Sequence, residues 1–383
     1  NMASKTERSI PQRHLWNPIV DFLGLGGLSV FLIVGALVAF PPTHEWFEPF
    51  SNSITSQQGT SVLLPVNMLS AFMFFTIVIN HPHFMASYRL LYRSREQIRT
   101  YRWSAIGVPI ILTLLSIAVL LSGATDRTLL EGDRSLGARL LEAMNVVVMV
   151  YLGWHYNMQA WGIICTYLFL GNLRLNSKEK WMIKSGLLVL VGMHALLWIA
   201  ASPLMVTYKS VEAACVSITP FVPFIVFPFF IAGGLGFYRL AIRTEKRIPL
   251  NALVPWLAVY VWYYGVLSYH DIVGVSIVVQ LAHALQYLVV TTRVEANVGE
   301  KKHGRNGLVF TMTVYFFLLA LGYLVFELPG IIGMQTELTT VYKSGLILLV
   351  ISINLHHFFI DGAVWKISNP EVRKDLFAHL EAR

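Results

Sequence analysis

Apolar runs of about 20 residues, separated by short polar breaks, recur along the whole chain. At a helical rise of about 1.5 Å per residue, each is long enough to cross roughly 30 Å of hydrocarbon. Ten such spans are predicted, over Val20–Phe40, Ser61–Asn80, Ser104–Gly123, Arg139–Gly171, Met182–Ala200, Ile218–Tyr238, Asn251–Tyr269, Ile272–Thr291, Leu308–Phe326 and Val341–Asp361. The fold class expected is therefore all-α, a polytopic membrane helix bundle, because in lipid each backbone polar group must be satisfied within its own segment or a closed barrel. The fourth run is too long for one perpendicular crossing. It tilts, projects into the cytoplasm or breaks near Gly153.

Charge supports the same count independently. Of the 29 Lys and Arg residues, 24 fall in the N-terminal arm, in alternate connections, or in the C-terminal tail. Arg127, Arg134, Arg139, Lys209 and Lys343 make up the other side. Cytoplasmic loops carry the Lys/Arg excess, so both termini are expected in the cytoplasm of a multi-pass protein of a bacterial-type inner membrane. The division expected is a cytoplasmic arm (1–19), a transmembrane bundle (20–361) and a cytoplasmic tail (362–383). The arm lacks the early apolar core of a cleavable signal peptide, which predicts that it is retained.

Composition agrees with the pattern, with 55% of the 383 residues hydrophobic and 13% charged. The net charge of +8 follows from the loop asymmetry and suits anionic lipid heads, and it calls for no nucleic-acid partner. Cys165 lies in a predicted span and Cys215 near a loop on the opposite side, so a disulfide framework has no support. No GxGxxG, P-loop or CxxC motif is present, so dinucleotide binding, nucleotide hydrolysis and thiolate zinc chemistry have no support. His270 and His283 are thirteen apart, which offsets them by about 140° on a helix and disfavours stacked haems. The glycines of Ala232-Gly233-Gly234-Leu235-Gly236 lie inside a span and predict close helix packing.

Against this apolar background stand His81 and His83, His155, His283, His356, His357 and Asp361. Ionisable groups at such depths cost free energy and are functional candidates by default. The topology puts His81 and His83 at the cytoplasmic end of the second span and His356, His357 and Asp361 at the same end of the tenth. His283 lies roughly 17 Å along the eighth helix from its outer start, with His155 at a similar depth in the fourth. His357 and Asp361, four apart, share a helix face, and imidazole beside carboxylate is the ligand chemistry of non-haem iron. His356 points about 100° away, toward a second metal or a supporting hydrogen bond. Pro82 disrupts regular helix geometry, so loop conformation is expected to aim His81 and His83.

Gln159 and Tyr287 follow His155 and His283 by one turn and, with Gln286, are candidates to orient oxygen or substrate. Six histidines and one aspartate suit two metal ions, iron first, with manganese or zinc also compatible. His270 and Asp271 lie in the outer turn between the seventh and eighth spans. They enter the ligand set only if that turn folds inward; otherwise Asp271 caps a helix. His194 reads as packing, and His14, His44, His303 and His379 as solvated surface. Each membrane histidine also has a plain alternative as an interhelical hydrogen-bond partner.

His81-Pro82-His83 and His356-His357, paired imidazoles near cytoplasmic helix ends, resemble the integral-membrane di-iron oxygenases of the desaturase and hydroxylase group, and more loosely the Brp/Blh-type carotene dioxygenases. The HxxxH and HxxHH boxes of the desaturases are absent. The resemblance implies an oxygenase or oxidoreductase that takes O₂, a lipid-soluble or amphipathic substrate, membrane lipid and an electron donor. Arg89, Arg93 and Arg293 are candidates to hold an anionic head group. The rival expectation is a metal-ion or proton-coupled transporter using the same His/Asp cluster, with His194, His270, Asp271, Glu142 and Asn145 as its outer half.

Overall fold

The computed structural model describes residues 14–39, 66–122, 136–201, 209–268, 273–335, 340–365 and 370–381. Among these residues every regular element is helical. In chain order they are α1 (Pro18–Ala39), α2 (Val66–Phe75), α3 (His81–Tyr92), α4 (Arg95–Thr100), α5 (Val108–Leu121), α6 (Leu136–Leu170), α7 (Ser177–Ala201), α8 (Lys209–Ile218), α9 (Val222–Thr244), α10 (Leu250–Ser268), α11 (Val273–His303), α12 (Gly307–Phe326), α13 (Leu328–Gln335), α14 (Thr340–Val364) and α15 (Pro370–Glu381).

Six helical stretches are long and apolar enough to cross a membrane: Pro18–Ala39, Trp103–Leu121, Ser177–Ile199, Ala213–Thr244, Gly307–Ile332 and Ser344–Val364. They match six of the ten expected spans and suggest an integral membrane protein. Helices also lie over the other four segments, and these include α6 and α11, which carry His155 and His283. The long fourth run is one uninterrupted 35-residue helix, α6, with no break at Gly153. The space above Gly153 is taken by His194 instead: a Cβ there would stand 2.7 Å from the imidazole Cγ.

Helix starts follow local chemistry. Asn17 caps α1 by accepting from the amides of Ile19 and Val20 at 3.0 and 2.9 Å, with Pro18 in the first turn, where no amide is needed. At α7, Asn176 and Glu179 cap reciprocally at 2.9 Å, and Glu179 also takes both arms of Arg243 at 2.7 Å. A kink bends α1 at Leu23–Gly27, and two π-helical turns widen the helices at Thr76–Asn80 and Trp103–Gly107. Such turns expose backbone carbonyls and often mark functional sites. At the kink in α1, Gly26 holds φ at 132°, a region open mainly to glycine, and a Cβ there would strike Ala258 at 2.6 Å.

Packing builds a bundle in which α7 lies against α6 and α9, α10 against α1 and α6, α12 against α3 and α11, and α14 against α3, α5 and α6. The chain ahead of α1 is pinned by Asp21, which is fully buried. It accepts from the amides of Leu15 (2.8 Å) and Trp16 (3.0 Å) and from the Tyr167 hydroxyl (2.7 Å). The segment expected as a tail holds α15, an amphipathic helix that buries Leu376 and Phe377 and packs on α11. Arg93 and Lys302 reach its Asp375 at 2.8 and 3.3 Å. His379 accordingly meets the carbonyl of His14 at 3.1 Å rather than facing bulk solvent.

The glycines of α9 act as expected from their run: a Cβ at Gly236 would lie 2.9 Å from Ile183 and 3.1 Å from Met182 across the α7 contact. Gly192, in α7, has nothing within 4 Å of such an atom. Gly236→Ala should therefore lower the thermal midpoint in detergent, an overpacking cost of about 1–3 kcal/mol exceeding the helix-propensity gain. Gly192→Ala should hold or raise it, by about 0.5–1 kcal/mol. Equal midpoints for the two variants would contradict the close α7–α9 approach.

Candidate metal centre

Three helices deliver one histidine each to a common volume, and α14 delivers two groups. His83 comes from the first turn of α3, His155 from mid-α6, His283 from α11, and His357 with Asp361 from α14. All five are withdrawn from solvent: His357 is fully buried and Asp361 retains 8% of its surface. One ligand atom each from His83, His155, His357 and Asp361 lies within 4.8 Å of the other three. His283 joins at the edge, its Nε2 at 2.9 Å from His155 Nε2. Either one ring donates to the other, or both face one ion. Two cis positions on an octahedral ion, with bonds of about 2.0–2.1 Å, lie about 2.9 Å apart.

The carboxylate is the fixed point. Asp361 Oδ1 accepts from Ser87 Oγ at 2.6 Å and from Tyr287 Oη at 3.0 Å, and Tyr287 Oη in turn accepts from the Trp365 indole at 2.5 Å. Its other oxygen, Oδ2, faces His357 Nε2 at 3.5 Å and His155 Nε2 at 3.7 Å, beyond hydrogen-bond reach. That oxygen and both nitrogens of His83 and of His357 are buried without a hydrogen-bond partner among the described residues. Each such orphan costs about 1–3 kcal/mol when left unmade, and a cation would satisfy three of the five, one nitrogen from each ring and the carboxylate oxygen. The donor set fits a hard or borderline metal ion held by imidazole and carboxylate. One nitrogen per ring stays unpaired even then, and packing orients the rings. Phe84 lies 4.5 Å from His357, Phe358 4.7 Å from His155 and Tyr156 4.2 Å from His283, centroid to centroid.

Not every expected ligand converges. His81 and His83 follow a π turn and sit in regular helix, not in a loop, so two residues of helix turn their rings to opposite sides. His81 Nε2 meets Glu327 at 3.1 Å while His83 faces the cluster. His356, offset from His357 as its helical position requires, contacts the Ser104 carbonyl at 2.6 Å and Tyr88 Oη at 3.1 Å. His270 and Asp271 lie outside the described residues. His194 stands apart, its Nδ1 at 3.2 Å from Tyr263 Oη.

Gln286 donates at 2.7 Å to the Leu25 carbonyl, at the kink in α1. Gln159 donates to the His283 carbonyl at 3.0 Å, and its Oε1 has no hydrogen-bond partner among the described residues. Ser87, Tyr156 and Trp365 are the members that sequence reading missed. The four-residue spacing that pairs His357 with Asp361 also pairs His83 with Ser87 and Asp361 with Trp365, so that signal was present.

A cavity of about 720 Å³ opens beside the cluster, between α6, α11, α14 and α15. His155, Tyr287 and Asp361 line one end, Gln159 and Gln286 its flank, and Trp154, Met158, Phe169, Val290 and Phe358 much of its wall. The arginines expected to bind anions are otherwise engaged. Arg89 makes two bonds of 2.9 Å to Glu295, Arg93 pairs with Asp375, and Arg293 lies over Trp16 and bonds Asn297.

Fold and site together define a class: a helical membrane-type bundle with a buried His/Asp group able to hold a metal ion. No protein-family model matches the chain, and no curated protein or solved structure matches it either.

The geometry separates the histidines experimentally. His83→Ala and His357→Ala should each abolish stoichiometric metal binding in the purified protein, and Tyr287→Phe should weaken it about 10- to 100-fold through the freed carboxylate. His81→Ala and His356→Ala should retain the metal. Equal loss in all five variants would mean that the rings act through folding alone.

Proposed function

We propose that the chain is an integral-membrane non-haem iron oxygenase or related oxidoreductase acting on a lipid-soluble or amphipathic substrate. The observation that carries this reading is the adjacency of the buried His83/His155/His357/Asp361 set to an apolar cavity that His155 and Asp361 themselves line. Iron bound there would supply O₂ and redox chemistry at coordination positions the protein leaves open. The ligands gathered suit one ion; two ions would need His81 and His356, whose rings are turned to Glu327 and to Ser104 with Tyr88.

The chain's own residues have distinct roles in this reading. Ser87 and Tyr287 hold one carboxylate oxygen of Asp361, which aims the other at the imidazoles. Phe84, Phe358 and Tyr156 exclude water and fix the rings, strengthening electrostatic interactions inside. Gln159 holds the His283 carbonyl beside the cavity, while Gln286 braces the kink in α1. Ten spans, with both termini cytoplasmic in a bacterial-type inner membrane, belong to this proposal, supported by the Lys/Arg asymmetry. An electron donor would approach from that same face.

Transport is the second reading, and one observation favours it. His194, Tyr263 and Asn157 continue a polar line from Tyr156 away from the cluster. Iron-loaded protein in vesicles of its own lipid extract, given ascorbate as reductant, separates the two. Oxygen uptake that depends on iron and disappears in His357→Ala, without metal or proton flux, is the expected result. Flux across the vesicle wall with no oxygen uptake would replace the oxygenase with the transporter.

A further inference from the structure

The cavity has two chemically different ends. From His155 to Phe169 it follows about 21 Å of α6, fourteen residues at about 1.5 Å each, and its far rim carries Arg174 and Lys180. Both are exposed, and neither has a carboxylate within ion-pair distance among the described residues. Their neighbours differ. Arg89, Arg93 and Arg243 each hold a carboxylate, and Glu179, the acid between Arg174 and Lys180 in sequence, is committed to Arg243. Positive-inside placement explains cations at this end of the bundle, but not why two unpaired ones rim a cavity that leads to the ligand set. Between the ends, the wall is built mainly from aromatic and aliphatic side chains, with Val372 and Leu376 of α15 closing part of it. A volume of about 720 Å³ falls within the range of about 300–1,000 Å³ typical of small-molecule sites.

We infer that this cavity binds a single-chain amphiphile whose anionic head, a carboxylate or phosphate, sits between Arg174 and Lys180, with its apolar chain lying along α6 toward Asp361. The guanidinium offers a planar pair of donors to such a head and the ammonium a second point charge. The apolar chain gains burial against Met158, Phe169 and Val290. Anchoring the head at one end sets which part of the chain lies beside His155 and Asp361. The inference takes from the oxygenase reading only the chemistry at that inner end; binding itself stands on the cavity and its cations.

Three tryptophans, Trp154, Trp161 and Trp365, line the cavity and report occupancy. The probes are stearate bearing a nitroxide on its chain, its neutral methyl ester, and the corresponding alkyl phosphate, titrated into the full-length protein in uncharged detergent. The expected result is saturable quenching by stearate, phosphate or both, with the ester at least tenfold weaker. Arg174→Gln/Lys180→Gln should bind the anions no better than the ester while keeping wild-type metal content, which shows that the variant is folded. The carboxylate and phosphate arms tell which head group is preferred. Equal binding of ester and anions, or an unchanged double variant, would overturn the anionic anchor. His357→Ala should still bind the probe, so a failed metal reading and a failed ligand reading give different results.

Discussion

One carboxylate organises the centre of this protein. Asp361 spends one oxygen on Ser87 and Tyr287 and leaves the other, buried and without a hydrogen-bond partner among the described residues, facing imidazoles from separate helices. A buried charge with unfilled coordination is stable only when something of opposite sign shares the volume. α3, α6, α11 and α14 must therefore approach at one level, and the aromatic packing around the rings holds them there. The Asp21 knot provides a useful contrast. It is more deeply buried, yet three donors reach it, so it holds the N-terminal segment against α6 and has no unmet valence.

The bundle was legible from periodic apolar length alone, because lipid-facing and core-facing residues are both apolar and a span reads as an unbroken run. Residues along α1, α5, α9 and α12 illustrate this, with large apolar side chains such as Phe31, Leu114, Phe224 and Phe317 exposed on the outer surface. The convergence of His83, His155, His283, His357 and Asp361 was legible too, since loop charge sets which helix ends share a side and rise per residue sets depth. Rotation was not. Whether His81 or His83 faces inward depends on the π turn at Thr76–Asn80, and a one-residue widening of that kind leaves no periodic trace in the sequence. The partners of Arg89 and Arg93 were hidden for another reason: Glu295 and Asp375 are distant in sequence and meet them only through the packing of α11 and α15.

Cluster and cavity depend on each other through shared residues. Tyr287 bonds the carboxylate and lines the cavity, and Trp365 supports Tyr287 while forming part of the same wall. A molecule lying along α6 would thus touch the groups that position Asp361. Occupancy of the cavity and geometry of the ligand set are coupled by direct contact, with no long pathway needed. The placement of α15 adds to this coupling, because the helix that closes the cavity is itself fastened by Arg93 and Lys302 through Asp375.

The central claim, that these side chains coordinate one cation, is tested most directly by X-ray absorption spectroscopy of the iron-loaded protein. The account predicts one iron per chain in a nitrogen/oxygen shell with the outer-shell scattering of at least three imidazoles, and loss of stoichiometric iron in Asp361→Ala. A folded wild-type protein that takes up no metal, or an iron spectrum without imidazole scattering, would contradict it.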